Sequence, residues 1–307
     1  MLSSADVGRR VVVRRRVAAG FTDTIGRLIA ADAGALVVRP DRGGADVAIS
    51  LPDVVAAKPV PPRRRRVGID DLERITAAAW PALERERLGD WLLRAADGWT
   101  GRANSALVVG DPGRALPAAI AAVTSWYRER ALHPACQVPL PAATDVDAFL
   151  ADAGWEASVP VLVMTAPIDR VRRTVADGLP PVTLTPTASD DWLALFGARK
   201  RGMPSAVRAL LAGGNATFAE VRDADGGLIA AARSALGDGH LGLFAIEVVP
   251  EHRRRGLARH VMAALADAAF DHAHTVYLQA EDTNIPARAL YDRLGFTVHH
   301  TYMHRRL

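Results

Sequence analysis

Phe244-Ala-Ile-Glu-Val-Val-Pro-Glu-His-Arg-Arg-Arg-Gly-Leu-Ala258 sets an apolar run against a proline, a cluster of arginines and the first turn of a helical pattern spanning 257–270. A strand, a basic turn containing glycine and a helix start are together the parts of an anion-binding site. The first N–H groups of a helix have no intrahelical acceptor, and the macrodipole makes that end positive. Gly256 lets a phosphate approach the backbone, Ala258 keeps the next turn small, and Arg253, Arg254, Arg255 and Arg259 add positive charge nearby.

The neighbouring segments read as an α/β unit. Residues 182–184 form a short strand and 190–197 a helix. Strands 217–222 and 228–235 make a hairpin around Ala224-Asp-Gly-Gly227, and Gly237-Asp-Gly239 turns into strand 241–249. After the arginine turn and its helix come strand 276–279, the segment Asp282-Thr-Asn-Ile-Pro-Ala287, helix 287–294 and strands to the end.

In this order Ile246-x-Val248-x-Pro250, Arg253-x-x-Gly256-x-Ala258, and Asn284 with Ala289-Leu-Tyr-Asp-Arg-Leu-Gly-Phe296 resemble the GNAT superfamily of acyl-CoA-dependent N-acetyltransferases. The resemblance covers 182–307 well and 69–165 only as a degenerate echo. It implies a central mixed, mostly antiparallel sheet flanked by helices. It also implies acetyl-CoA, with its pyrophosphate held by backbone N–H groups from Arg254 through Leu257 and Ala258 to Arg259. Strand residues Ile246 and Val248 would splay from their neighbour and expose backbone groups to the pantetheine amides and the acetyl carbonyl. Asn284 would hydrogen-bond the pantetheine arm. Tyr291, two helical turns further on, would protonate the departing thiolate. Glu247 is one candidate for the base that deprotonates the amine, and Glu220 and His240 are its rivals on neighbouring strands.

An internal echo supports two copies of one unit. Ala148-Phe-Leu-Ala-Asp-Ala-Gly-Trp155 matches Ala289-Leu-Tyr-Asp-Arg-Leu-Gly-Phe296, and the same offset lays helix 116–131 on 257–272 without a gap. The first copy has Pro112-Gly-Arg-Ala-Leu-Pro117 opposite the arginine turn, Ala143 opposite Asn284 and Leu150 opposite Tyr291. It keeps the packing pattern and lacks the polar groups, so it reads as a structural or acceptor-shaping half. Within it, 69–87 has helical apolar spacing, 91–94 and 105–109 read as strands, 136–140 as a strand and 144–153 as a helix. Thr100, Arg102, Asn104 and Ser105 read either as a solvated loop or as the lining of a cleft.

Ahead of both copies, 9–17, 24–31, 35–39, 47–51 and 55–58 are five short strands punctuated by glycine and proline, a layout similar to Src-homology-3-like barrels. Arg14, Arg15 and Arg16 fit a charged edge strand or a phosphate-binding ridge. Pro59-Val-Pro-Pro-Arg-Arg-Arg-Arg66 reads as a stiff, extended linker and a possible weak nucleic-acid or protein contact.

Composition bounds the rest. The chain has 307 residues, 50% of them hydrophobic, which is ample for packed cores. No apolar run reaches the length of a bilayer span, no signal peptide is evident, and the single Cys136 excludes an intrachain disulfide. No Cys/His cluster has metal spacing. The expectation is a cytoplasmic protein with no membrane contact and no metal, in three parts: an all-β barrel and linker at 1–62, a degenerate half at 63–168 and a catalytic acetyl-CoA-binding half at 169–307. It would acetylate a primary amine, on a protein or a small molecule, by direct attack in a ternary complex. The alternatives are an acetyltransferase resembling the mycothiol-forming enzymes, acting on a sugar-cysteine amine, and a non-catalytic coenzyme A sensor.

Overall fold

Alternating buried and exposed residues build the first unit, Met1–Arg65. Its strands are β1 (Arg10–Val17), β2 (Gly20–Ala31), β3 (Ala35–Pro40), β4 (Val47–Ser50) and β5 (Val54–Pro59). They pair in the order β4-β3-β2-β1-β5, every pair antiparallel. Val11, Val13, Leu28, Leu36, Val38 and Ile49 are buried on the inner face, as a period of two requires. Gly26 is required where β2 crosses β3, because a Cβ there would lie 1.9 Å from the Arg39 carbonyl oxygen. The 3-10 turn Leu51–Asp53 joins the two edge strands. Arg14 of the basic strand is already committed, donating to Asp23 at 2.8 and 3.0 Å.

These features come from a computed structural model that describes residues 2–41, 43–60, 67–173, 178–198 and 207–307. The arginines at 63–66 lie outside the described residues. Among the described residues no helix is long and apolar enough to cross a membrane, and no group of His, Cys, Asp and Glu is placed to hold a metal ion.

The second unit, Arg66–Leu307, begins with α1 (Ile69–Ala79), β6 (Glu84–Leu88), β7 (Trp91–Ala95) and β8 (Ala106–Leu107). It continues with α2 (Leu116–Arg128), β9 (Ala135–Leu140), α3 (Thr144–Asp152), β10 (Glu156–Ala157), β11 (Val161–Pro167) and α4 (Ile168–Arg172). Then come β12 (Val182–Thr185), α5 (Asp190–Gly197), α6 (Val207–Ala212), β13 (Ala216–Arg222), β14 (Leu228–Gly237) and β15 (His240–Val248). The last elements are α7 (Leu257–Ala268), β16 (Thr275–Glu281), α8 (Ile285–Arg293) and β17 (Thr297–Arg306).

One helical expectation is corrected. The apolar spacing at 69–87 predicts a single helix, but α1 stops at Ala79. Pro81 forces the residue before it out of the helical region, and Trp80 sits at φ −130°, ψ 66°. The following Glu84–Leu88 segment pairs with Trp91–Ala95 as a hairpin. Its alternating charges suit the sheet edge that it forms.

All the strands of this unit join one sheet, ordered β12-β13-β14-β15-β16-β11-β17-β9-β8-β7-β6, with β10 beside β17. Among the described residues only β15–β16 and β8–β9 are parallel pairs. Helices α2 and α3 start at Leu116 and Thr144, and α7 and α8 start 141 residues further on, at Leu257 and Ile285. The centre of the sheet is an exchange: β11, from the earlier part of the chain, pairs with β16, while β17, from the end, pairs with β9. Neither half of the sheet is complete without a strand from the other.

A buried polar chain ties α1 to the sheet. Glu73, fully buried, binds His300 Nε2 at 2.8 Å and accepts from Gln137 Nε2 at 2.6 Å. Gln137 Oε1 accepts from Arg94 at 2.8 Å, and Arg94 also donates to the Ser105 carbonyl at 2.9 Å. Removing one member strands the others away from water. Glu73→Ala therefore lowers the unfolding free energy by about 3–5 kcal/mol, measured by urea denaturation. A loss under about 1 kcal/mol would show that the chain contributes no more than a surface ion pair.

Candidate functional site

The site begins where two parallel strands part. β15 and β16 pair from His240↔Thr275 to Leu243↔Leu278 and no further. At that point β15 carries a bulge: Ala231 and Arg233 of β14 face Glu247 and Phe244, so β15 holds one extra residue. Ala245 takes φ +50°, a left-handed conformation rare for alanine. Beyond the bulge, Glu247 and Val248 keep their pairing to β14, and Ile246 to Val248 have no ladder on the β16 side. Among the described residues no strand covers that edge, which leaves room for a ligand beside it.

Below the split, Gly256 caps α7 at φ +89°, ψ 0°, and Arg254 also has positive φ, +62°. This turn leaves the backbone N–H groups of Arg254, Arg255, Gly256, Leu257, Ala258 and Arg259 without a backbone acceptor among the described residues. Arg253 Nε donates to the Val248 carbonyl at 3.1 Å, tying the turn to the end of β15. Arg255 Nη1 lies 2.9 Å from His252 Nδ1, and Arg259 Nε is buried with no partner. Unpaired donors and guanidinium groups at one helix end fit a polyanion such as a pyrophosphate.

A cavity of about 980 Å³ runs from this turn to α8. It brings together Ile246, Glu247, Val248, the turn from Arg253 to Arg259, Asn284 and Tyr291, all of them candidates from the sequence. Its volume suits a large cosubstrate. Asn284 is the N-cap of α8, its Oδ1 accepting from Ala287 N at 3.3 Å, so its carbonyl end serves the helix. The phenol of Tyr291 is 9% exposed and packs on Phe296, and its hydroxyl has no hydrogen-bond partner among the described residues. Burial, then the charge of Glu247, pushes its pKa up to about 12. It therefore keeps its proton at neutral pH, the state a general acid needs.

The rival bases are placed elsewhere or occupied. Glu220 binds Ser189 Oγ and accepts from Arg222 at 2.9 Å. His240 lies seven residues before Glu247 on the same strand, roughly 23 Å away at strand rise, with Nδ1 2.7 Å from the Asp238 carbonyl oxygen. Glu247 alone among the three lines the cavity.

The loop after β7 is not solvated. Asn104 Oδ1 accepts from Ala96 N and Gly98 N at 2.8 and 2.9 Å, and its amide donates to Trp99 O and Thr100 O. Ser105 Oγ donates to the Gly101 carbonyl at 2.8 Å. This frame delivers Arg102 onto Gln279 of β16, one residue beyond the last β15–β16 pair. Gln279 and the Ala245 bulge carry no signal in the sequence, because both gain meaning only when the strands part. A second, smaller concavity of about 330 Å³ lies where Arg74, Arg85 and Arg87 surround Leu92, Leu107 and Val109. No buried unpartnered polar atom faces it among the described residues.

A family model described as Probable histone acetyltransferase Rv0428c C-terminal matches residues 67–305. The chain is 32% identical to the probable histone acetyltransferase Rv0428c of Mycobacterium tuberculosis, over 98% of this chain and 95% of that protein. Among solved structures it is similar to a GCN5-related N-acetyltransferase from Kribbella flavida, with TM-score 0.58 and 17% identity over 79% of this chain and 96% of that one. It is also similar to a tandem GNAT protein from the clavulanic acid biosynthesis pathway, with TM-score 0.54 and 19% identity over 81% and 90%. At those identities the two structures speak for the fold alone.

Proposed function

This chain belongs to the Rv0428c C-terminal family of GNAT acetyltransferases, and from that premise we propose that it moves an acetyl group from acetyl-CoA to a primary amine within a ternary complex. The observation that carries the reading is the single cavity joining the unpaired N–H groups at Gly256, the split after Leu243 and the protonated phenol of Tyr291. Acetyl-CoA supplies the acyl group as a thioester. The turn from Arg254 to Arg259 holds its pyrophosphate, and the open edge of Ile246 to Val248 takes the pantetheine amides and steadies the oxyanion. The amine nitrogen forms the new bond to the carbonyl carbon and passes its surplus proton to Glu247. As the carbon–sulfur bond breaks, Tyr291 gives its proton to the thiolate. The products are the acetamide and free coenzyme A. Cys136 is buried, with its thiol pushed up to about 12 by desolvation, and it does not line the cavity, which favours direct transfer over an acyl-cysteine.

The matching helix starts and the parallel pair in each half support reading 66–307 as a tandem GNAT unit whose first half has lost its ligand groups. The strand order and the 3-10 turn before β5 likewise support a barrel similar to Src-homology-3 domains in Met1–Arg65. The name carried by the relative makes a lysine side chain one acceptor to try. The test is acetyl-CoA turnover by the full chain across lysine peptides, peptide N-termini, aminoglycosides and small amines. Coenzyme A release that depends on one amine class supports the reading. Tight acetyl-CoA binding with no acceptor-dependent release would make the protein a sensor.

A further inference from the structure

The face of the sheet opposite α7 holds an unbalanced group of cations. Arg233 of β14 is fully buried, yet its partners are only carbonyl oxygens: Leu211 at 2.7 Å, Ala79 at 3.0 Å, and Gly213. Its Nη1 has no partner. Burial holds its pKa well below the usual arginine range, to about 10, so it remains charged at neutral pH. Arg102, half-buried, touches the same two rings. Its guanidinium lies 5.2 Å from the Trp80 ring centroid and 5.4 Å from that of Phe244, and Arg233 lies 5.0 and 5.3 Å from them. Neither guanidinium has a carboxylate in contact among the described residues. Two further polar atoms on this face, Tyr277 Oη and Gln279 Nε2, are buried without partners.

The charge around them is mostly positive. Arg102, Glu73, Arg94 and Glu281 act on Tyr302, Arg102, Arg233 and Glu73 act on Tyr277, and Glu73 is already engaged by His300 and Gln137. Burial first, then Arg306, Arg94 and Arg102, drives His304 down to about 3, so this ring adds no charge at neutral pH. A buried guanidinium without a counter-ion is costly, and clustered unpaired donors call for an acceptor. The place is also chemically meaningful. Phe244 is the last residue before the bulge, Gln279 the first after the strands part, and Glu247 shares this face through its pairing with Ala231.

We infer that the acceptor is an amine that carries its own carboxylate, with Arg102 as the group that binds the carboxylate and Arg233 reinforcing it from behind the Trp80–Phe244 pair. The inference rests on the acetyltransfer reading and narrows it. The amine would then lie toward Glu247 and the anion toward Arg102. A fork-shaped guanidinium suits a carboxylate, and Glu247 stands at the amine end to take its proton. The first half, which lacks the glycine turn and the tyrosine, would thus supply the specificity group.

The test uses ω-amino carboxylates from glycine to 6-aminohexanoate beside their carboxamides, with the full chain and with Arg102→Gln. At least one carboxylate should exceed its amide in kcat/KM by roughly tenfold to a hundredfold, as a charged hydrogen-bonded pair contributes. In Arg102→Gln that ratio should fall to about one, with the melting temperature as a control on folding. Calorimetry of the same pairs on protein saturated with coenzyme A gives a second readout. Equal kcat/KM for every pair, or a preference that persists in Arg102→Gln, overturns the inference. Failure to acetylate any amine sinks the acetyltransfer reading instead. In that case, carboxylates binding no tighter than amides would overturn the anion site as well.

Discussion

Tyr291→Phe lowers kcat by about 10²–10⁴-fold and leaves the affinity for acetyl-CoA nearly unchanged. The two effects separate because the ring and the hydroxyl do different work. The ring packs against Phe296, with centroids 5.9 Å apart, and phenylalanine keeps that contact. The hydroxyl makes no hydrogen bond among the described residues, so its loss leaves no partner stranded and the melting temperature holds or rises. What disappears is the proton for the departing thiolate. With the phenol pushed up to about 12 by burial and Glu247, the wild-type pH–rate profile should show no alkaline descent from this group below about pH 12. Stopped-flow turnover and equilibrium binding of acetyl-CoA check both halves. A variant that keeps kcat within about threefold would remove Tyr291 from the chemistry and leave it a core residue before the Gly295 cap.

How much of this was legible in the sequence depended on the range of the interaction. The arginine turn, the start of α7 and the hairpin of β13 and β14 were readable because glycine, proline and periodicity act within a few residues. The end of α1 was misread although its signal, Pro81, was equally local, because the apolar spacing continues past it. The exchange of β11 and β17 was not readable at all. Their partners lie more than a hundred residues away in β16 and β9, and an alternating strand does not announce which edge it will meet. The bulge at Ala245 was hidden for another reason: a left-handed residue is usually glycine, and here the fold imposes that conformation on alanine.

The candidate site shows the same division. The side proposed for the coenzyme is built from one contiguous segment plus α8, so its residues could be named in advance. The acceptor side proposed above rests on Trp80, Arg102, Arg233, Phe244 and Gln279, which converge from both halves. Phe244 opens the apolar run before the arginine turn, and the other four belong to no motif. The loop holding Arg102 offered two readings from sequence, and the hydrogen bonds of Asn104 and Ser105 remove the solvated one.

Gly256→Glu should abolish acetyl-CoA binding, with an affinity loss of roughly hundredfold or more, while α7 still forms. Two separate effects contribute. At φ +89° a side chain strains the backbone by about 1–2 kcal/mol, and the added carboxylate places negative charge among donors that serve an anion. Gly256→Ala isolates the first effect and should bind more weakly than wild type but better than Gly256→Glu. The first half of the chain shows why the helix survives. Ala115 caps α2 at the position corresponding to Gly256, and it takes an extended conformation, φ −55° and ψ 140°. Pro117 follows at the position of Ala258 and removes one of the N–H groups that the later turn keeps free. The same helix is therefore built from a turn that holds no cradle of donors. Isothermal titration of acetyl-CoA into both variants, with circular dichroism for helix content, tests the argument. Binding of Gly256→Glu within about threefold of wild type would mean that the coenzyme is held elsewhere and that the arginine turn is an ordinary basic surface.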